Sequence, residues 1–224
     1  MLASSSPRRR ELLALLDSPF EVRPPAIDEG RAAEPARLKA RAVQAPGATI
    51  LAADTRVRLG DEELGKPRDA SAATSMLLRL AGSSHIVVTD VAVIDAARRE
   101  THVAVETRVR MRTFDREQAA AYVDTGEPLD AAGAYQVQGR GATLIGAVEG
   151  CLANVVGLPL CHVYEALRRA GRAPRERPER VCQEHFAFNC PVWRHAQAQG
   201  HSLRDRDTYR TWYRDLPSSV LVAR

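Results

Sequence analysis

Leu2-Ala3-Ser4-Ser5-Ser6-Pro7-Arg8-Arg9-Arg10-Glu11-Leu12-Leu13 stands at the head of the chain, and the order of its residue types decides how the rest is read. Two apolar residues lead into three hydroxyls, then a proline, three arginines and a leucine-rich run. Ser6 before Pro7 predicts a helix N-cap followed by proline at the first helical position. Leu12, Leu13, Leu15 and Leu16 give that helix its buried face. The helix N-terminus then gathers free backbone N–H groups, the positive end of the dipole, serine hydroxyls and guanidinium forks, the ingredients of an anion site suited to phosphate oxygens. Only Met1 to Ala3 precede the serines, so the strand feeding the turn is either short or begins upstream.

Outward from this turn the chain alternates. Phe20 to Arg23 reads as a strand and Pro24 to Gly30 as a loop. Residues 35–45 read as a helix. Thr49 to Ala53 is a short apolar strand expected to deliver Asp54-Thr55 at its end. Arg56 to Leu64 reads as a hairpin around Gly60-Asp61, broken by Gly65-Lys66-Pro67. Residues 70–81 are helical by leucine spacing, and 85–94 and 101–114 form two long strands. Asp115 caps a helix to about Thr125. Residues 127–150 are glycine-rich and irregular with a strand inside, and 160–169 form a further helix. The alternation predicts an α/β protein.

With 224 residues, 45% hydrophobic and 27% charged, the chain can bury a sizeable core and is ordinary for a globular protein. Its apolar runs are too short for a membrane span and no signal peptide is visible, so no membrane partner is expected and cytoplasm is the default compartment. Four cysteines are too few for a dense disulfide framework. Charge is uneven. Residues 168–224 hold 12 Arg against 6 Asp and Glu, a net +6, while the whole chain is +4, which leaves −2 for residues 1–167. Of 32 basic residues only Lys39 and Lys66 are lysines, so these two positions are candidates for needing a compact ammonium rather than a planar fork. Beyond Gly171 the composition changes. Residues 172–180 read as an arginine- and proline-rich linker, followed by a segment with both tryptophans.

Chemistry is sought first in carboxylates. Asp54 at a strand end and Glu29 in a loop could together hold Mg²⁺ beside a phosphate site, with Lys39 and Lys66 neutralising phosphate charge. Taken singly, Asp54 reads as a turn residue and Glu29 as a solvated loop acid. Gly133-Ala134-Tyr135-Gln136-Val137-Gln138-Gly139-Arg140-Gly141 is a glycine-rich loop without the spacing of a dinucleotide fingerprint. Gln138 in it can both donate to and accept from a base edge.

Read together, Ser4-Ser5-Ser6-Pro7-Arg8-Arg9 with Glu11-Leu12-Leu13, Ala53-Asp54-Thr55, Gly65-Lys66-Pro67, Glu127-Pro128, Ala132-Gly133-Ala134-Tyr135, Gln138-Gly139 and Asn154-Val155-Val156-Gly157-Leu158-Pro159 resemble, in order, the Maf family of nucleoside triphosphate pyrophosphatases. The resemblance covers roughly residues 1–170. It implies an elongated α/β fold with a mixed sheet and a central cleft, related to the inosine triphosphatase type. It implies hydrolysis of a nucleoside triphosphate to the monophosphate and pyrophosphate, dependent on Mg²⁺ or Mn²⁺. By that likeness Ser4, Ser6, Arg8 and Arg9 line the phosphate end, Lys39 and Lys66 grip phosphates, Asp54 is the general base and a metal ligand, and Glu29 is its metal partner.

Arg8, Thr55 and Gln138 resemble the branch acting on dTTP and UTP, whereas a branch acting on 7-methyl-GTP usually has tryptophan, serine and glutamate there. Three departures stand out: Ala131 where the family usually has lysine, Asp90 where it has a small residue, and a shortened stretch between Glu29 and Lys39. They leave open a weakened enzyme or a nucleotide- or nucleic-acid-binding protein that has lost catalysis, although nucleic acid is disfavoured as a partner. A homodimer is left open as the assembly. The expected domains are a Maf-like domain at 1–171 and an extension at 172–224, in which Cys182, His185, Cys190 and His195 are a minor candidate for zinc.

Overall fold

The computed structural model describes residues 1–27, 34–187, 190 and 192. Helix α1 (Pro7–Ala14) starts as the sequence predicts: Ser6 is its N-cap and accepts a hydrogen bond from the Arg9 backbone N–H, while Leu12, Leu13 and Leu16 are buried. Helix α2 (Pro35–Ala42) also opens on proline. Strand β1 (Ile50–Leu59) turns at Gly60-Asp61 into β2 (Glu62–Leu64), with Val57 opposite Leu64 and Leu59 opposite Glu62. Helix α3 (Ala70–Leu80) is capped by Asp69, whose carboxylate accepts from the Ala72 N–H at 2.7 Å. Strands β3 (Ser84–Ile94) and β4 (Glu100–Met111) follow. Helix α4 (Arg116–Val123) carries a full capping box between Asp115 and Gln118. Three short 3₁₀ turns then lead to β5 (Ile145–Glu149), α5 (Leu152–Val156), α6 (Leu160–Arg169) and α7 (Pro178–Phe186).

The five strands hydrogen-bond in the order β2-β1-β3-β4-β5, with β1–β2 and β4–β5 antiparallel. Leu2 adds parallel bridges to Val22 and Leu51, so the pairing is mixed. The α/β class is as expected.

Four boundaries differ from the sequence reading. Asp54-Thr55 lie within β1 and not at its end, because pairing with β2 carries the strand on to Leu59. Residues 20–23 contribute only the bridge at Val22. Strand β4 stops at Met111, next to an irregularity in its register with β5. The stretch read as a linker ends earlier, since Pro178 starts α7 as its first helical residue.

The chain forms two compact units. The first holds Met1–Asp54, Thr89–Val105 and the described residues from Gly157 on; the second holds Thr55–Val88 and Glu106–Val156. In the first, Ala3, Ala36, Ala40, Val43, Ile50, Ala52, Ala92 and Ile94 pack as one cluster. Its many alanines let α2 lie close to the strands. In the second, Leu77 and Leu80 of α3 pack with Val87, Val109, Tyr122, Tyr135 and Ile145. Asn154 is fully buried there, and its amide donates to the Val87 carbonyl at 3.1 Å and to Thr107 Oγ1 at 3.0 Å, as a buried amide requires.

Among the described residues no helix is long and apolar enough to cross a membrane.

Candidate active site

The serine–arginine turn is tied together by its own side chains. Ser4 is buried, and its Oγ accepts from the Ser6 N–H at 3.2 Å and from Arg9 Nη1 at 3.4 Å. Arg9 Nε also donates to the Gly157 carbonyl at 3.0 Å. The first motif of the chain is thereby joined to Gly157 of the last, 148 residues away. Arg8 and Arg9 are half-buried, which orients their guanidinium groups more than free surface arginines would be oriented. Ser4, Ser6 and Arg9 are thus brought together at the start of α1, where an anion would meet backbone N–H groups and positive charge.

Lys39 and Asp54 are brought together as well. On α2 the residues Ala36, Lys39 and Ala40 share the buried face at helical spacing, so the one lysine among alanines turns toward the strands. Its Nζ donates to Asp54 Oδ1 at 2.8 Å, with the side chains only 8% and 14% exposed. The result is a fixed carboxylate with one oxygen held by an ammonium. Asp54 offers the hard oxygen that Mg²⁺ prefers, and one or two carboxylates completed by substrate phosphates are its usual protein ligand set. Glu29, the proposed second ligand, lies outside the described residues. Among the described residues no group of three or more His, Cys, Asp or Glu side chains is arranged as a ready-made metal cage.

In the second unit Lys66 Nζ donates to Asp130 Oδ1 at 2.6 Å, and both side chains are about two-thirds exposed, at 63% and 65%. The neighbouring Gly65 carbonyl accepts from the Gly133 N–H at 3.1 Å, which joins the Gly-Lys-Pro motif to the glycine-rich loop. That loop folds tightly. A Cβ on Gly141 would lie 2.2 Å from the Gln136 carbonyl oxygen and 2.5 Å from the Tyr122 hydroxyl, so no other residue fits there. Tyr135 is buried with its hydroxyl 2.7 Å from His85 Nε2, and burial pushes His85 down to about 4, which keeps the imidazole neutral at pH 7. Gln138 is half-buried in extended backbone, immediately before the 3₁₀ turn Gly139–Leu144. Thr55 is half-buried on β1 beside Asp54 in the chain.

Two of the sequence departures acquire a setting. Ala131 is buried directly after Asp130, the residue that holds Lys66. Asp90 is buried on β3 with its carboxylate 3.4 Å from His102 Nε2 on β4. Asp130 is a functional candidate that the motifs do not single out; its one sequence signal is a carboxylate adjacent to the position of the missing lysine. In the extension, Cys182 and Cys190 are buried, and burial pushes the Cys182 thiol up to about 12. His195, the fourth member of the zinc candidate, lies outside the described residues.

The family profile described as Maf-like protein matches residues 1–170. A dTTP/UTP pyrophosphatase of Myxococcus xanthus (strain DK1622) is 52% identical over 182 residues, covering 76% of this chain and 92% of the relative. Proteins of the same name from Anaeromyxobacter dehalogenans (strain 2CP-1 / ATCC BAA-258) and Moorella thermoacetica (strain ATCC 39073 / JCM 9320) are each 49% identical, covering 80% and 75% of this chain and 97% and 92% of the relatives. A profile match over three-quarters of the chain, with relatives sharing half its residues, places this protein in the Maf family.

Proposed function

We propose that the chain is a nucleoside triphosphate pyrophosphatase that hydrolyses dTTP and UTP, or modified pyrimidine nucleotides, to the monophosphate and pyrophosphate, acting in the cytoplasm through residues 1–171, with 172–224 as an extension. The reading rests on the Lys39–Asp54 pair at 2.8 Å, a carboxylate fixed for proton transfer in a chain whose relatives carry that activity in their names.

Asp54 accepts the proton of the water that attacks the α-phosphorus, and the bond to the pyrophosphate oxygen breaks on the opposite side. Lys39 orients that carboxylate. Ser4, Ser6, Arg8 and Arg9 bind phosphate oxygens through hydroxyl, backbone N–H and guanidinium groups, and Lys66 offers a further ammonium. Thr55 and Gln138 meet the edge of the base. Asp54 and Glu29 would hold a divalent cation, Mg²⁺ or Mn²⁺, which would supply charge neutralisation at the phosphates and a lowered pKa for water.

Base choice follows from what is absent. Neither Thr55 nor Gln138 offers a carboxylate that would pair with guanine N1–H and N2–H, and Arg8 stands where an aromatic would stack on a methylated purine. Pyrophosphate release from dTTP, UTP, CTP and 7-methyl-GTP with Mg²⁺ or Mn²⁺ tests the reading. We expect kcat/KM for dTTP and UTP to exceed that for 7-methyl-GTP by at least about tenfold. Equal rates, or a preference for 7-methyl-GTP, would overturn the pyrimidine assignment. No release from any of them would point to binding without catalysis.

A further inference from the structure

The glycine-rich loop is wound around one carboxylate that the reaction does not use. Glu127 begins the 3₁₀ turn Glu127–Asp130, twelve residues before the second glycine of the loop. Its side chain reaches forward and accepts two backbone hydrogen bonds, from the Arg140 N–H to Oε1 at 3.1 Å and from the Gly141 N–H to Oε2 at 3.3 Å. Its own carbonyl accepts from Gln136 Nε2 at 2.9 Å. The Gln136 N–H in turn donates to the Tyr122 hydroxyl at 3.0 Å. Glu127 therefore touches the loop on both sides of Gln138, through Gln136 before it and through residues 140–141 after it.

The glycine between these contacts fits the same purpose. Gly139 has a φ of +79°, and a Cβ there would sit 2.7 Å from Glu127 Oε1. The backbone next to Gln138 thus approaches the carboxylate as closely as chemistry permits, and consecutive N–H groups converging on an anion form a nest. Here the anion is supplied by the chain itself.

We propose that Glu127 is a positioning residue for base recognition: by holding the 139–141 turn and Gln136 together, it fixes the backbone that presents Gln138 to the base. The proposal rests on the reading of Gln138 given above. A loop held by both ends presents one amide geometry. A loop released at one end samples several, and a small misplacement of a hydrogen-bonding group weakens discrimination between bases before it affects the reacting phosphate.

The test compares the wild-type protein with Glu127→Gln, which keeps the size of the side chain but turns one acceptor oxygen into a donor facing a backbone N–H. Each is assayed on dTTP, UTP and 7-methyl-GTP, with inorganic tripolyphosphate as a competing probe that has no base. We expect Glu127→Gln to raise KM for dTTP by about tenfold, with a smaller change in kcat, and to narrow the preference for dTTP over 7-methyl-GTP. The inhibition constant of tripolyphosphate should move far less than KM for dTTP. A purely structural brace would move both together or neither.

If Glu127→Gln fails to fold by circular dichroism, Glu127→Asp decides by the same measurements, because it keeps the charge and withdraws the carboxylate by one methylene from the Arg140 and Gly141 N–H groups. Unchanged base preference in a folded variant, or an equal loss of tripolyphosphate binding, overturns the proposal for Glu127 alone. A wild-type protein that hydrolyses neither pyrimidine triphosphate overturns both this proposal and the reading it rests on.

Discussion

The chain's two lysines are each given a carboxylate, and the two pairs are built to opposite specifications. Lys39 meets Asp54 in the interior of the first unit, on a helix face otherwise made of alanine and proline. Lys66 meets Asp130 in solvent, between two stretches that carry no regular strand or α-helix. The distances are alike, 2.8 and 2.6 Å, so distance does not separate them; burial does. A buried pair loses most of its hydration and holds its geometry only while both charges remain, since removal of one partner costs about 3–5 kcal/mol. An exposed pair contributes about 0–1 kcal/mol and exchanges partners readily. The first pair is therefore held in one geometry. The second is a cation with an exchangeable counter-ion.

The contrast is broken most severely at Asp54. Asp54→Asn keeps shape and a hydrogen-bond acceptor but removes the base, and turnover of dTTP should fall by about a hundredfold or more while circular dichroism stays native. Near-normal turnover in a folded variant would remove Asp54 from the chemistry. Next comes Lys39→Ala, which strands a buried carboxylate; urea unfolding should show a loss of about 3 kcal/mol. Lys66→Ala should leave urea stability within about 0.5 kcal/mol and instead raise KM for dTTP by about tenfold. If the two lysine variants lose stability equally, burial is not what distinguishes the pairs. The smallest effect belongs to Asp130→Asn. Freed of its counter-ion, Lys66 should bind the triphosphate slightly better, with KM falling by about twofold at low salt and the difference vanishing at high ionic strength. A rise in KM would show that Asp130 positions Lys66 for substrate.

How far the molecule was legible in advance depends on whether the determining contact is local. Ser6, Pro7 and Leu12 announce α1 within a few residues, and Asp115 with Gln118 announces α4, because a cap is made by neighbours in the chain. Lys39 and Lys66 stood out by composition alone. Gly60-Asp61 announces the hairpin of β1 with β2, but nothing local to Asp54-Thr55 announces that one strand runs unbroken through them into that hairpin. Asp130 is singled out by no motif, and Glu127 enters the sequence reading only within the Glu127-Pro128 motif. Their partners lie 64 and 13–14 residues away, and sequence spacing carries no record of such contacts. Helix α7 was hidden by the arginines and prolines around it, although Val181 and Cys182 turn inward once it forms.

The scarcity of lysine has a practical consequence for labelling. An amine-reactive reagent meets only two side-chain amines on this chain, Lys39 and Lys66. Lys39 is shielded in the folded protein and Lys66 is open. Mild acylation should therefore mark Lys66 first, and mass spectrometry of the modified peptide gives a one-site footprint. Bound triphosphate would erase that mark, and unfolding would add a second at Lys39, so a single reagent reports both ligand occupancy and the integrity of the interior.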